Sequence, residues 1–144
     1  METKSVGKWI SRIYRSGQKY FNLELQGLGI GSGQIPILNH LFQKDGIIQD
    51  RLAENIGIDR TTLNRTIRKL EKNKFIRKDK NPHDKRSYLV FLTEKGYALK
   101  PQIGPILSGW TDILTNGMDS AEKGYFLELL KRASQNAKSA TDRE

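Results

Sequence analysis

The 144-residue chain is 36% hydrophobic and 28% charged, carries a formal net charge of +9 and contains no cysteine. The missing thiols exclude disulfide scaffolds, thiolate metal sites and thiol redox sensing, and no apolar run nears the ~18 residues of a membrane span. So low a hydrophobic fraction suits a chain that completes its core by oligomerising.

Residues 1–5 lack the apolar core of a signal peptide, so a soluble cytoplasmic protein is expected. Over residues 4–26, Val6, Trp9, Ile10, Ile13, Tyr14, Gly17, Phe21 and Leu28 fall on one helical stripe. Glu24 lands within it, so either the stripe has ended there or the carboxylate meets a cation. Gly27, Gly29, Gly31 and Gly33 then break the helix. Because a helix and not a strand precedes these alternating glycines, they do not read as a dinucleotide-binding turn. A second helix is expected over residues 32–44, with Ile35, Leu38, Leu41 and Phe42 inward and Asp45 and Gly46 as its stop.

A short helix over residues 49–55 directs Leu52, Ala53 and Ile56 inward. The turn Gly57-Ile58 follows, and Asp59 is suited to cap a further helix reaching Asn73. Two helices across a tight glycine turn form a helix-turn-helix pattern. The period then changes. Residues 75–79 and 88–92 are β-type runs flanking the polar tip 81–86, which predicts a hairpin with a long basic loop, a wing. Thr93 caps another helix, which Pro101, Gly104 and Pro105 are expected to kink or interrupt. Asp119 and Glu122 form a capping-box start for the last helix. Its apolar set (Tyr125, Phe126, Leu129, Leu130, Ala133, Ala137) spans nearly half the circumference, a width that calls for cover from two sides, with a partner chain as the simplest second cover. Residues 137–144 read as a frayed tail.

Between Arg60 and Arg86 lie eleven lysines and arginines against three acids (Glu71, Asp79, Asp84), so this stretch carries +8 of the +9. A local cationic stripe on a helix followed by a hairpin points to duplex DNA. Within the helix Leu63, Ile67 and Leu70 face inward, while Thr61, Arg65, Arg68 and Lys72 project oppositely, flanked by Thr62, Asn64 and Lys69. Arginine can bond a guanine edge twice, asparagine an adenine edge twice, and threonine offers a methyl to thymine. The competing reading of this face is a solvated charged surface. On the wing, Arg86 is the candidate for the minor groove, with Asp84 to orient its guanidinium; the alternative for Asp84 is a turn-stabilising role. Lys78, Lys80 and Lys85 are assigned to phosphates.

The succession from Gln49 through Arg65, then Leu70-Glu71, Asp84-Lys85-Arg86 and Leu92-Thr93-Glu94-Lys95-Gly96 resembles the MarR (multiple-antibiotic-resistance regulator) family. The motifs cover residues 49–96. The resemblance implies a mainly α fold with a small β-hairpin: a winged helix-turn-helix lobe over residues 31–96, and a dimerisation region over 1–30 and 97–144 whose first and last helices intertwine in an obligate homodimer. It also implies a sequence-specific regulator, a repressor on a pseudo-palindromic operator. Thr61, Thr62, Asn64 and Arg65 match its recognition positions, and Asp84 and Arg86 its wing pair. One departure is Lys74, where the family usually has glycine, so that Asn73 or Lys74 must take the left-handed helix cap.

Many members of that family are released by small amphipathic or phenolic anions. Trp9, Tyr14 and Tyr20 offer stacking surfaces for such an effector, and Arg12 and Arg15 offer cations, although Arg15 lies opposite the apolar stripe and reads better as solvated. His40 and His83 are far apart and lack metal-ligand spacing, so no metal or other cofactor is expected. No catalytic constellation appears, which sets an enzyme aside. A non-specific architectural or RNA-binding winged-helix protein is the competing function.

Overall fold

The computed structural model describes residues 4–142. Helix α1 (Val6–Glu24) starts where Ser5 accepts the Lys8 N–H and ends at Glu24, so the stripe stops there; among the described residues Glu24 forms no ion pair. A 3₁₀ turn (Ser32–Gln34) leads into α2 (Ile35–Gln43), which buries the expected Ile35, Leu38 and Leu41 and also Ile37. Strand β1 (Ile47–Ile48), unforeseen from the sequence, precedes α3 (Gln49–Ile56). Two residues are too short for a periodic signal, and pairing with a distant strand creates this element. Gly57 turns the chain with φ 81°, a left-handed conformation that costs glycine little. Helix α4 (Arg60–Lys72) then begins under the Asp59 cap and buries Leu63, Ile67 and Leu70 as expected.

Lys74 takes the left-handed position itself, with φ 64°. Its N–H reaches the Glu71 carbonyl and the Phe75 N–H reaches that of Leu70, closing a Schellman cap over buried Leu70 and Phe75. Left-handed backbone at a non-glycine residue costs about 1–2 kcal/mol. The Thr93 hydroxyl, 2.6 Å from the Lys74 carbonyl, helps hold it.

The wing consists of β2 (Ile76–Asn81) and β3 (Asp84–Leu92), and the sheet order is β1-β3-β2, all antiparallel. The expected long loop is absent, because only Pro82 and His83 separate the strands. Asn81 closes that turn by accepting the His83 N–H at 3.0 Å and donating to Ser87 at 3.0 Å. The register jumps from Lys80↔Tyr88 to Asn81↔Asp84, so residues 85–87 bulge out of β3. At the wing base, Asp45 accepts the Leu92 N–H at 2.9 Å and the Tyr97 hydroxyl at 3.0 Å, and that bond pushes the Tyr97 phenol above its ordinary pKa.

Thr93 caps α5 (Glu94–Tyr97). A Cβ on Gly96 would lie 2.1 Å from the Phe75 carbonyl oxygen, so no side chain fits there. The break in this region falls at Ala98 and Leu99, and α6 (Lys100–Leu114) runs uninterrupted through Gly104 and Pro105. Pro101 sits in its first turn, where no N–H is required. Pro105 forfeits one helical bond, and burial of Ile103 beside half-buried Ile106 and Leu107 offsets it. The chain divides into two compact units, one ending at Leu107 and one beginning at Ser108. The second contains α7 (Ser120–Thr141), opened by the reciprocal Asp119–Glu122 capping box. Helix therefore continues through residues 137–141, where a frayed tail was expected; Arg143 and Glu144 lie outside the described residues.

Candidate nucleic-acid interface

Helix α4 is positioned from both sides by its own sequence. Its inner stripe is locked in the core, and its start is held by Asp59, which accepts the Thr62 N–H at 3.0 Å and also the Thr62 hydroxyl. Those bonds, the hydroxyl first, keep the Asp59 carboxyl below its ordinary pKa; slight burial opposes them. Thr62 is therefore committed to the cap through its hydroxyl proton, leaving its methyl for outside contact. Thr61, Asn64, Arg65, Arg68, Lys69 and Lys72 are all exposed.

A cleft of about 270 Å³ joins this helix to the wing, lined by Gln49, Asp50, Asn64, Arg68, Lys78, Arg86, Ser87 and Tyr88. The wall therefore brings together Asn64 and Arg68 from α4 with Lys78 and Arg86 from the wing. Arg65 is exposed and lies outside this lining. Lys78 stands 5.0 Å over the Tyr88 ring, which fixes its ammonium against the sheet. Lys80 and Lys85 are exposed on opposite strands of the wing.

Asp84 departs from its expected role. Its carboxylate accepts the backbone N–H of Arg86 at 3.0 Å, and among the described residues it forms no ion pair with the guanidinium. It shapes the bulge that presents Arg86 and does not grip the charge, which is the turn-stabilising alternative. Arg86 correspondingly sits in the bulge and not at the hairpin tip, which Pro82 and His83 occupy. Arg77, in the same basic stretch, pairs with Asp79 and stacks 4.5 Å over Phe91, so its charge is neutralised locally.

Sequence reading missed Gln49, Asp50, Ser87 and Tyr88. Gln49 donates to the Asn64 carbonyl at 2.8 Å across fifteen positions of sequence. No helical or strand period links positions on different elements. The only available signal was that Gln49 opens the helix preceding the turn.

The five residues considered for an effector are not gathered. Trp9 is 52% exposed, with Lys8 and Arg12 at 5.3 and 5.8 Å from its ring. Tyr14 and Arg15 are exposed, and the Tyr14 hydroxyl accepts from Gln18 one turn along α1. Tyr20 instead donates its hydroxyl to the Ile106 carbonyl at 3.0 Å. The rise from Trp9 to Tyr20 is about 16 Å along the helix, too far for one small ligand to span.

The MarR family model matches residues 30–88. The uncharacterized HTH-type transcriptional regulator YybA of Bacillus subtilis is 35% identical over 127 residues, 88% of this chain and 85% of YybA. A MarR transcriptional regulator from Methanosarcina mazei Go1 superposes with a TM-score of 0.88 at 38% identity, covering 94% of this chain and 98% of its own. A MarR family regulator from Listeria monocytogenes complexed with 26mer DNA superposes with a TM-score of 0.88 at 31% identity, covering 99% and 98%.

Proposed function

This chain belongs to the MarR family of transcriptional regulators, and we propose that it acts as a cytoplasmic homodimer that reads a pseudo-palindromic operator in duplex DNA and represses transcription there. The observation that carries the reading is the shared wall on which Asn64 and Arg68 of α4 stand with Lys78 and Arg86 of the wing. One rigid lobe thus offers cations to a helix-wide groove and to the backbone beside it.

In this proposal Thr61, Thr62, Asn64, Arg65 and Arg68 meet base edges. Lys69, Lys72, Lys78, Lys80 and Lys85 meet phosphates, which sets affinity and its dependence on salt. Arg86 enters the minor groove, presented by the bulge that Asp84 shapes. A structure of a family member bound to DNA supports the partner. Dimerisation is supported by apolar side chains left exposed in a single chain: Val6, Trp9 and Ile10 on α1, and Tyr125, Leu129 and Leu130 on α7. Release of the operator by a small amphipathic or phenolic ligand belongs to the same proposal. It rests on family membership, since Trp9 and Tyr20 stand apart on α1.

The test is competitive binding of the full chain to a selected palindromic duplex and to random duplex at physiological salt. A regulator prefers its site by about 10³ or more. A ratio near one replaces it with the non-specific architectural or RNA-binding function.

A further inference from the structure

Two amides from different helices meet at the cleft between α4 and the wing. The Gln49 Nε2 donates to the Asn64 Oδ1 at 2.8 Å. Both residues stand on backbone that the fold fixes. Ile48, immediately before Gln49, pairs with Leu89 of β3, and Asn64 follows the buried Leu63 on α4. The sheet that carries the wing therefore also sets the position of Gln49.

An unrestrained asparagine meets adenine with both ends of its amide, accepting from N6 and donating to N7. Here the carbonyl end is already engaged. Among the described residues, the Asn64 NH₂ has no hydrogen-bond partner. Arg68, Lys78 and Arg86 line the same cleft, against Asp50 as the one acid, and Asp50 lies 3.9 Å from Arg60. With its NH₂ spent on Asn64, Gln49 has its carbonyl end left for this cationic wall.

We propose that Gln49 determines base preference by holding Asn64 with its donors outward. At this position the protein then selects base edges that present acceptors in the major groove, guanine N7 and O6, thymine O4 or, by a single bond, adenine N7, and discriminates against cytosine, whose edge there is the N4 donor. The two-ended adenine contact anticipated for an isolated asparagine is not the favoured one. The inference rests on the proposed reading of duplex DNA by α4, and it adds a residue outside the recognition helix to the reading.

The experiment is selection from randomised duplexes by the full chain, run in parallel for wild type, Asn64→Ala, Gln49→Met and Gln49→Glu. Asn64→Ala identifies the base pair concerned. Gln49→Met removes the restraint and flattens the preference there. Gln49→Glu is acceptor-only, so Asn64 turns its NH₂ inward and its carbonyl outward, and the preference shifts roughly tenfold toward the donor-bearing cytosine or adenine. A merely structural role would lower affinity for all sequences without inverting the choice. Thermal melting of each variant confirms folding, and the conservative Met variant carries the test if the Glu variant melts. An enriched wild-type site whose Asn64 base pair is indifferent to both Gln49 variants overturns this inference and leaves DNA reading intact. Failure of the wild type to enrich any site overturns DNA reading itself.

Discussion

Helices α4 and α7 are both amphipathic, yet they solve the burial of an apolar face differently. On α4, Leu63, Ile67 and Leu70 are at most 1% exposed, and the opposite face is polar and cationic. On α7 no residue is buried, and Tyr125 and Leu129 are 71% and 55% exposed. The first helix is complete within its own chain. The second carries an apolar surface of the kind monomers rarely leave open, which the partner chain of the proposed homodimer would cover. Stability of the lobe and assembly of the protein are therefore assigned to different residues, and substitutions can separate them.

The largest effect is expected from breaking the open face. Leu129→Asp combined with Leu130→Asp places two charges on it and should leave the chain monomeric in sedimentation experiments. Loss of the second half-site contact should then lower operator affinity by about a thousandfold, because two linked lobes bind with high effective concentration. The variant's α4 lobe should keep its thermal transition. A double variant that remains dimeric would remove α7 from the interface and end the contrast.

The matching experiment on the closed face is Ile67→Ala. Ile67 is fully buried in the core cluster that also holds Leu63 and Leu70, so truncation should cost about 2–5 kcal/mol in chemical denaturation. Leu129→Ala should alter only the concentration-dependent part of the transition. Comparable losses at both positions would show that α7 packs within its own chain as tightly as α4 does.

The same contrast explains what sequence made legible. The stripe Leu63, Ile67, Leu70 and the caps Asp59, Thr93 and Asp119 are local patterns of three or four residues, and each appears where periodicity and capping chemistry place it. The departures are nonlocal. Strand β1 exists because Ile47 and Ile48 pair with Val90 and Leu89, and no pair of isoleucines announces its partner. The tight wing tip depends on Asn81 bonding across the turn to His83 and Ser87, which converted an expected loop into strand and bulge. Pro105 carries a strong local signal against helix, and packing around Ile103 outweighs it. At the interface, residue types identified the cations, whereas the grouping of Arg86 with Arg68, and the bond from Gln49 to Asn64, required the tertiary structure.

Within the exposed face of the lobe, the comparison sharpens into two kinds of cation. Arg65→Ala should cost about 1–3 kcal/mol on the cognate duplex and relax preference at one base pair. Lys80→Ala, on the wing, should weaken all duplexes alike and reduce the salt slope by about 1. Fluorescence anisotropy over a salt series on cognate and random duplexes separates them. Equal loss from Arg65→Ala on every sequence would make it a backbone contact like Lys80.

The smallest effect concerns how α4 begins. Asp59 holds the Thr62 hydroxyl and N–H, and those bonds stabilise its carboxylate more in the folded chain than in the unfolded one. A depressed folded-state pKa means that the unfolded chain binds the proton first. The contribution is fully present above the ordinary aspartate value near about pH 4 and fades as pH falls through the lower folded value. Asp59→Asn keeps an oxygen for the cap but cannot titrate. Its melting temperature should therefore start slightly below wild type at neutral pH and fall less on acidification, so the two curves converge as pH falls below the ordinary aspartate range. Because the carboxylate is exposed, solvent screening keeps the difference small. Parallel curves would assign the cap to geometry alone, and the charge on Asp59 would then contribute nothing to the start of the helix.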